Sequence, residues 1–489
     1  MKRILLLVLI FSLQPFTFSL GAERPNVVVI FADDLGYGDL SCYGATKLHT
    51  PNIDQLAIKG RRFTDGHSAS AVCTPSRYNL ITGKYAFRGD HWSPVFLKVG
   101  LLIDQDQTTV ADVMKRAGYA TSIIGKWHLG FGKETPNWNG DLKPGPLELG
   151  FDYYFGVPVV NSHPPFVYVE NHRVVGLVPE DPFVYGQMAN TQVFPEKRKL
   201  DDIGGADAAH ALYKDREVGT KLTEKSIEWI KDHKDNPFFL YYCPTMPHAN
   251  NEGGKSPDGM EVDTYGEFEN RDWKPNEKGF ARMVQRIDIT VGRILDTLEQ
   301  QGIVENTLVL FTSDNGPHDE GGHSVTRFNS SGGFQGYKRS LHEGGIRIPF
   351  IAWWPGTITP GVSDHMGYFP DLLPTFCDMA GASHDSIDDG ISILPLLTGD
   401  ESKQKLHDYL YFEYLEQLAV RRGSWKYYVN AEGKEALFNL DEDRHEDRDQ
   451  KDTQQKIFAD LKSCVAREHR DYTPSEAPVF YDPLYHKAG

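Results

Sequence analysis

Beyond residue 23 the chain opens on Asn26-Val27-Val28-Val29-Ile30-Phe31, an unbroken β-branched and apolar run. A strand covered on both faces reads this way, because neither side can alternate to polar residues. The run stops in Ala32-Asp33-Asp34-Leu35-Gly36-Tyr37-Gly38-Asp39, a polar, glycine-rich loop. The same sentence is written three more times. Thr109 to Gly118 has helical spacing and leads into Tyr119 to Ile124, which ends in Gly125-Lys126-Trp127-His128. Asn236 to Tyr242 ends near Pro247-His248, and Met283 to Gln300 has helical spacing before Thr307 to Thr312, which ends in Ser313-Asp314-Asn315-Gly316. Strands with polar endings and helices between them predict a doubly wound α/β fold, a large, mostly parallel sheet sandwiched by helices. Ligands of such sheets bind beyond the carboxyl ends of the strands, so the four polar endings are expected to converge.

Between Gly130 and Gly205 the chain is rich in Pro, Gly, Asn and aromatic residues without clean periodicity, which predicts long loops. After Gly390 short alternating runs appear at Tyr409 to Tyr414, Ala419-Val420, Trp425 to Val429 and Ala436 to Leu440. A helical stretch, Thr453 to Val465, follows them. They predict a smaller C-terminal antiparallel sheet plus one helix, and hence a large N-terminal domain over 23–395 and a small α+β subdomain over 396–489.

Lys2 and Arg3, the apolar run Ile4 to Phe11 and the small residues Ser19, Gly21 and Ala22 form a secretory-signal pattern over 1–22. The expectation is an exported protein, secreted or periplasmic, with no membrane anchor. Of 489 residues, 51 are Lys or Arg and 68 are Asp or Glu, a net charge of −17 that repels phosphate backbones, so no nucleic-acid partner is expected. An anionic substrate would need locally gathered cations. Five cysteines are too few for a disulfide scaffold, and the pairing of Cys42, Cys243, Cys377 and Cys464 is left open, with Cys243 expected to be buried.

The fifth, Cys73, stands in Cys73-Thr74-Pro75-Ser76-Arg77, followed by Leu80-Ile81-Thr82-Gly83. This resembles the Cys-x-Pro-x-Arg signature of type I sulfatases, with Ile81 where that family usually has Leu. The segment Phe31 to Leu40, the Gly125 to Gly130 stretch Gly-Lys-Trp-His-Leu-Gly, His248, and Lys338 before Glu343-Gly344-Gly345 match in order. Over Arg24 to about Pro355 the chain therefore resembles arylsulfatase A-like enzymes of the alkaline phosphatase superfamily. The resemblance implies that Cys73 is oxidised to formylglycine (3-oxoalanine) by a formylglycine-generating maturation enzyme. Its hydrate carries two hydroxyls, one to attack sulfur and one to expel sulfate later. Asp33, Asp34, Asp314 and Asn315 are hard oxygen donors suited to Ca2+, with Mg2+ as the other candidate, and by resemblance they bind one Ca2+ together with an oxygen of modified Cys73.

Arg77 follows Cys73 by four residues, which places both on one face if a helix starts at Pro75. Lys126 and His128 alternate around Trp127 and would point the same way from an extended segment. The resemblance assigns Arg77 to holding the nucleophile, Lys126 to the nucleophile or sulfate, and His128 to the proton that leaves when the intermediate collapses. It assigns His248 to the ester oxygen, Lys338 to sulfate and the leaving oxygen, and Ser162 to the nucleophile. Histidine suits proton donation to a poor leaving group near neutral pH. The expected reaction is sulfate-ester hydrolysis by double displacement. A carbohydrate sulfate is the expected substrate, with aryl sulfates also accepted, and the loop residues Asn161, His163, His318, His323 and Arg327 are candidates to line a sugar pocket. Two alternatives stay open: a phosphate or phosphonate ester hydrolase of the same superfamily, and a non-catalytic sulfated-glycan-binding protein if Cys73 is unmodified.

Overall fold

The computed structural model describes residues 24–95, 98–187, 203–251, 253–382 and 389–470. The signal pattern over 1–22 lies outside them. Strands β1 (Asn26–Ala32), β2 (Arg61–Phe63), β3 (Ala120–Lys126), β4 (Tyr153–Val157), β5 (Val169–Glu170), β6 (Arg173–Val174), β7 (Phe238–Cys243), β8 (Thr307–Ser313), β9 (Phe350–Trp353) and β10 (Gly361–Ser363) form one sheet. Its order is β10-β2-β9-β8-β1-β7-β3-β4-β5-β6. The central run from β8 to β4 is parallel, and antiparallel pairings bring in β9 and the β5-β6 edge.

The uniform apolar strands are buried on both faces, as their composition predicts. Along β1, Val27, Val29 and Phe31 enter one core with α2 (Cys73–Thr82), α3 (Val110–Arg116) and α6 (Leu372–Ala380). Val28, Ile30 and Ala32 enter the opposite core with α1 (Pro51–Lys59), α4 (Asp215–His233) and α5 (Pro275–Gln300). Helix α3 starts at a capping box in which Thr109 and Asp112 satisfy each other's backbone N–H. Pro275 opens α5 eight residues before the periodic stretch, because Pro at the first helical position loses no hydrogen bond.

The stretch 130–205 is more ordered than its composition suggests. Tyr153–Val157 joins the central sheet in parallel with β3, and Phe183–Tyr185 pairs with Ile203–Gly205. A short aromatic strand buried on both faces carries no alternation to reveal it. The C-terminal sheet is antiparallel: β11 (Leu410–Tyr414), β12 (Gln417–Arg422), β13 (Trp425–Val429) and β14 (Glu435–Asn439), with α7 (Gln455–Glu468) packed on it through Leu461 and Cys464. Its core is shared with Ala69, Ala71 and Val72, so it buttresses the segment that delivers Cys73. Cys42, Cys73, Cys243 and Cys464 form no disulfide, and Cys243 is fully buried. Among the described residues no helix is long and apolar enough to cross a membrane.

Candidate active site

Parallel pairing of β1 with β8 sets Ala32 opposite Ser313, so the loops that follow them emerge side by side. Asp314 Oδ1 accepts from the Asp34 N–H (2.9 Å), and Asn315 Nδ2 donates to Asp34 Oδ1 (2.7 Å). Carboxylate oxygens of Asp33, Asp34 and Asp314 all lie within 4.8 Å of one another, and all three residues are fully buried. The His248 loop is tied to the same place by the Asp33 N–H, which donates to Met246 O.

Cations surround these acids from outside. Arg77 Nη2 reaches Asp33 (3.3 Å) and Asp314 (2.9 Å), and Lys126 Nζ contacts both Asp33 oxygens at 2.8 Å. Lys338 Nζ meets Asp34 Oδ2 at 2.8 Å. Helix α2 begins at Cys73 itself, two residues earlier than Pro75, which puts the buried thiol at its amino end and Arg77 one turn on. Gly125 lets β3 lie close to β7: a Cβ there would sit 1.9 Å from Cys243 O. The electrostatics of Cys73 are shaped by Lys126, Lys338, Asp314 and Asp33, which places it within this cluster.

Lys126 and His128 do not share an extended face. His128 adopts a left-handed backbone (φ 60°), held by Thr74 Oγ1, which donates to its carbonyl at 3.0 Å. The turn suits the side chain's task. His128 Nε2 donates to Val95 O (2.7 Å), which leaves Nδ1 a bare, buried lone pair without a partner. His248 donates Nδ1–H to Ala249 O (2.7 Å), so its Nε2 is an acceptor, 3.2 Å from Lys338 Nζ. Burial, then Lys338, pushes His248 down to about 4, and burial with Lys126 and Arg77 holds His128 well below the usual histidine range. The protons on this side of the site are on Lys338, whose ammonium is held charged by Asp34 and Glu320 against the opposing effect of burial.

The acids divide. Burial opposes ionisation at Asp33, yet Lys126, His248 and Arg77 outweigh it and hold the carboxyl well below its usual range. Asp314 goes the other way, pushed well up by burial and then by Asp33. Burial also raises the Cys73 thiol, so an unmodified Cys73 is a neutral and poor nucleophile. The Asn315 carboxamide oxygen is buried with no partner. Three crowded carboxylates, one of them short of positive charge, and an orphaned amide oxygen form a donor set that fits a hard divalent cation.

Of the remaining candidates, Ser162 is buried with its hydroxyl 3.3 Å from His163 Nδ1, and Asn161 Nδ2 donates to His248 O (3.2 Å). His318 is committed to the scaffold: Nε2 donates to Pro247 O (2.9 Å) and Nδ1 accepts from the Glu320 N–H (3.1 Å). His323 stacks on Phe280 at 4.2 Å, and Arg327 pairs with Glu277. The sequence reading missed Glu320 and Arg339, which pair beside Lys338, and Asp215, which accepts from Asn161 and Asn250. Acidic Asp215 at a helix start was the one available signal; Glu320 sits in a polar loop with nothing to mark it.

Buried cations and bare histidine nitrogens gathered around a nucleophile position at the carboxyl ends of a parallel sheet define a hydrolase of anionic esters. Residues 25–382 match the sulfatase family, and residues 332–471 match the C-terminal region of N-sulphoglucosamine sulphohydrolase. The chain is 35% identical over 448 residues to an N-acetylgalactosamine-6-O-sulfatase of Bacteroides thetaiotaomicron, covering 83% of this chain and 82% of that protein. To human arylsulfatase A it is 33% identical over 431 residues, covering 84% and 76%. Among solved structures, a Bacteroides thetaiotaomicron sulfatase described in connection with glycosaminoglycan metabolism superposes with a TM-score of 0.79 at 30% identity, covering 91% of this chain and 99% of that one. A phosphonate monoester hydrolase of Agrobacterium radiobacter shares the fold at a TM-score of 0.58 and 20% identity, covering 91% and 95%. This chain belongs to the sulfatase family, and it is an enzyme that hydrolyses sulfate esters.

Proposed function

We propose that this sulfatase removes sulfate from a carbohydrate, using Cys73 matured to formylglycine by a formylglycine-generating enzyme and one Ca2+ held by Asp33, Asp34, Asp314, Asn315 and position 73. The observation that carries the reading is the orphaned Asn315 oxygen among three crowded carboxylates, directly beside Cys73 and its cations. When present, the cation would polarise the nucleophile's oxygen and offset substrate charge, and the hydrated aldehyde would supply an attacking hydroxyl with a built-in exit.

The chain's own groups do the rest. Arg77, pinned between Asp33 and Asp314, fixes the start of α2 and with it position 73. Lys126, fully buried against Asp33, would face the nucleophile and one sulfate oxygen. Lys338 carries the proton for the leaving oxygen, and His248 Nε2 holds that ammonium in line by accepting from it. His128 Nδ1, bare and buried, is the base for the hydroxyl proton that must leave before sulfate is released. Ser162, which the family resemblance assigns to the nucleophile, is buried with its hydroxyl beside His163 Nδ1. The similarity to an enzyme named for N-acetylgalactosamine 6-O-sulfate supports a sugar substrate. The signal pattern supports export to the periplasm or medium, and the onset of the second sheet at Leu410 supports a catalytic domain over 23–395 and a subdomain over 396–489.

Mass analysis of the Cys73 peptide from protein matured in a competent host tests the nucleophile, and an unmodified cysteine in active protein would refute it. Cys73→Ser is expected to lower turnover by roughly 10^4-fold or to trap sulfate on the protein, since serine lacks the second hydroxyl. On matched aryl sulfate and aryl phosphate, kcat/KM is expected to favour the sulfate; the reverse would move the enzyme to phosphorus esters.

A further inference from the structure

The Asn161 carboxamide is oriented without ambiguity. Its Nδ2 lies 3.2 Å from His248 O, a carbonyl that can only accept, and 3.5 Å from Asp215 Oδ2. Flipping the amide would set its oxygen against the His248 carbonyl, so Oδ1 is the end that faces away. Asp215 is itself anchored by Asn250 Nδ2 at 3.1 Å, two residues beyond His248. Asn161 is only 2% exposed, and its Oδ1 has no hydrogen-bond partner. A buried acceptor left unpaired costs about 1–3 kcal/mol, so the position asks for a donor.

The chemistry of that donor is restricted. A sulfate oxygen is an acceptor and is repelled by an amide oxygen, which excludes Asn161 from the sulfate-binding groups. Its carboxamide is bonded to the backbone of His248, the residue assigned above to the leaving-group side of the reaction. We propose that Asn161 Oδ1 accepts a hydrogen bond from a hydroxyl of the leaving alcohol next to the sulfated position, so that the site selects a sulfated polyol. The inference rests on the carbohydrate reading above and adds the residue that enforces it. A simple aryl sulfate, with no such hydroxyl, leaves the acceptor unpaired.

The test is calorimetric binding to Ca2+-loaded Cys73→Ala protein, which cannot turn over. N-acetylgalactosamine 6-sulfate, glucosamine 6-sulfate and galactose 6-sulfate are compared with inorganic sulfate. Asn161→Ala is expected to weaken the tightest sugar about tenfold more than it weakens inorganic sulfate. Equal weakening of both, or weakening of neither, would overturn the proposal. A second measurement needs no folded variant at position 161: one monodeoxy analogue of that sugar should lose about tenfold on the Cys73→Ala parent, and no loss with any deoxy analogue would overturn it. A parent that binds inorganic sulfate but none of the sugars would instead refute the carbohydrate reading itself.

Discussion

Two buried ion clusters in this molecule have the same formal composition and opposite uses. In the active site Asp33, Asp34 and Asp314 face Arg77, Lys126 and Lys338. At the seam with the C-terminal sheet Asp65, Glu343 and Glu446 face Arg347, Arg421 and Lys426, with His67 alongside. Both place three acids against three bases, and in both a set of acidic or histidine ligand atoms comes within 4.8 Å. The second cluster interleaves its charges: Arg347 contacts Asp65 (2.6 Å) and Glu343 (2.7 Å), Arg421 contacts both at 2.9 and 3.1 Å, and Lys426 bridges Glu343 and Glu446 at 3.0 Å. Burial notwithstanding, Lys426, Arg347 and Arg421 hold Glu343 well below the usual range. In the first cluster the bases stand outside and the acids look at each other, and Asp314 is driven up. Proximity of ligand groups does not make a metal site; the placement of the counter-charges decides.

The largest expected effect is on function at the first cluster. Asp314→Ala should abolish bound Ca2+ and lower kcat/KM by at least roughly 10^3-fold, checked by elemental analysis beside an assay. Normal turnover with metal retained would dismantle the ligand set. Chelation of the wild type should give the same loss, restored by Ca2+, with a lowered Tm because the cation binds only the folded state.

The next largest effect is on stability at the second cluster. Lys426→Met leaves Glu343 and Glu446 buried beside a missing partner and should cost about 3–5 kcal/mol in denaturant unfolding. Turnover per folded molecule should stay within about threefold, because no Lys426 atom enters the first cluster. An equal loss of activity and stability would show that the two clusters are not separate.

The smallest effect is a pH slope. Burial, then His318, pushes His323 down to about 3, below its unfolded value near 6.5. Between those values the unfolded chain binds the extra proton, so this residue makes stability fall as pH falls through the window. His323→Gln should flatten the Tm profile between about pH 6.5 and 4 by an amount equivalent to about 3 kcal/mol; an unchanged profile would refute the assignment.

The first cluster was legible in the sequence and the second was not, for a physical reason. Asp33-Asp34 and Asp314-Asn315 follow uniform apolar strands, and parallel pairing of such strands forces their endings together. Lys338 and His248 were found by motif. Asp65, Glu343, Arg421 and Lys426 are scattered over the chain with no shared spacing, and only the docking of β12 and β13 against the turn at Glu343 unites them. Local backbone was also hidden: the left-handed turn at His128 and the start of α2 at Cys73 depend on tertiary contacts rather than on periodicity.

The most direct measurement is sulfate release by the matured, Ca2+-loaded enzyme from position-defined sulfated sugars beside 4-nitrophenyl sulfate. One sugar sulfate is expected to be hydrolysed with kcat/KM well above the aryl ester, which would fix its regiochemistry. Aryl turnover equal to or above that of every sugar would contradict the account.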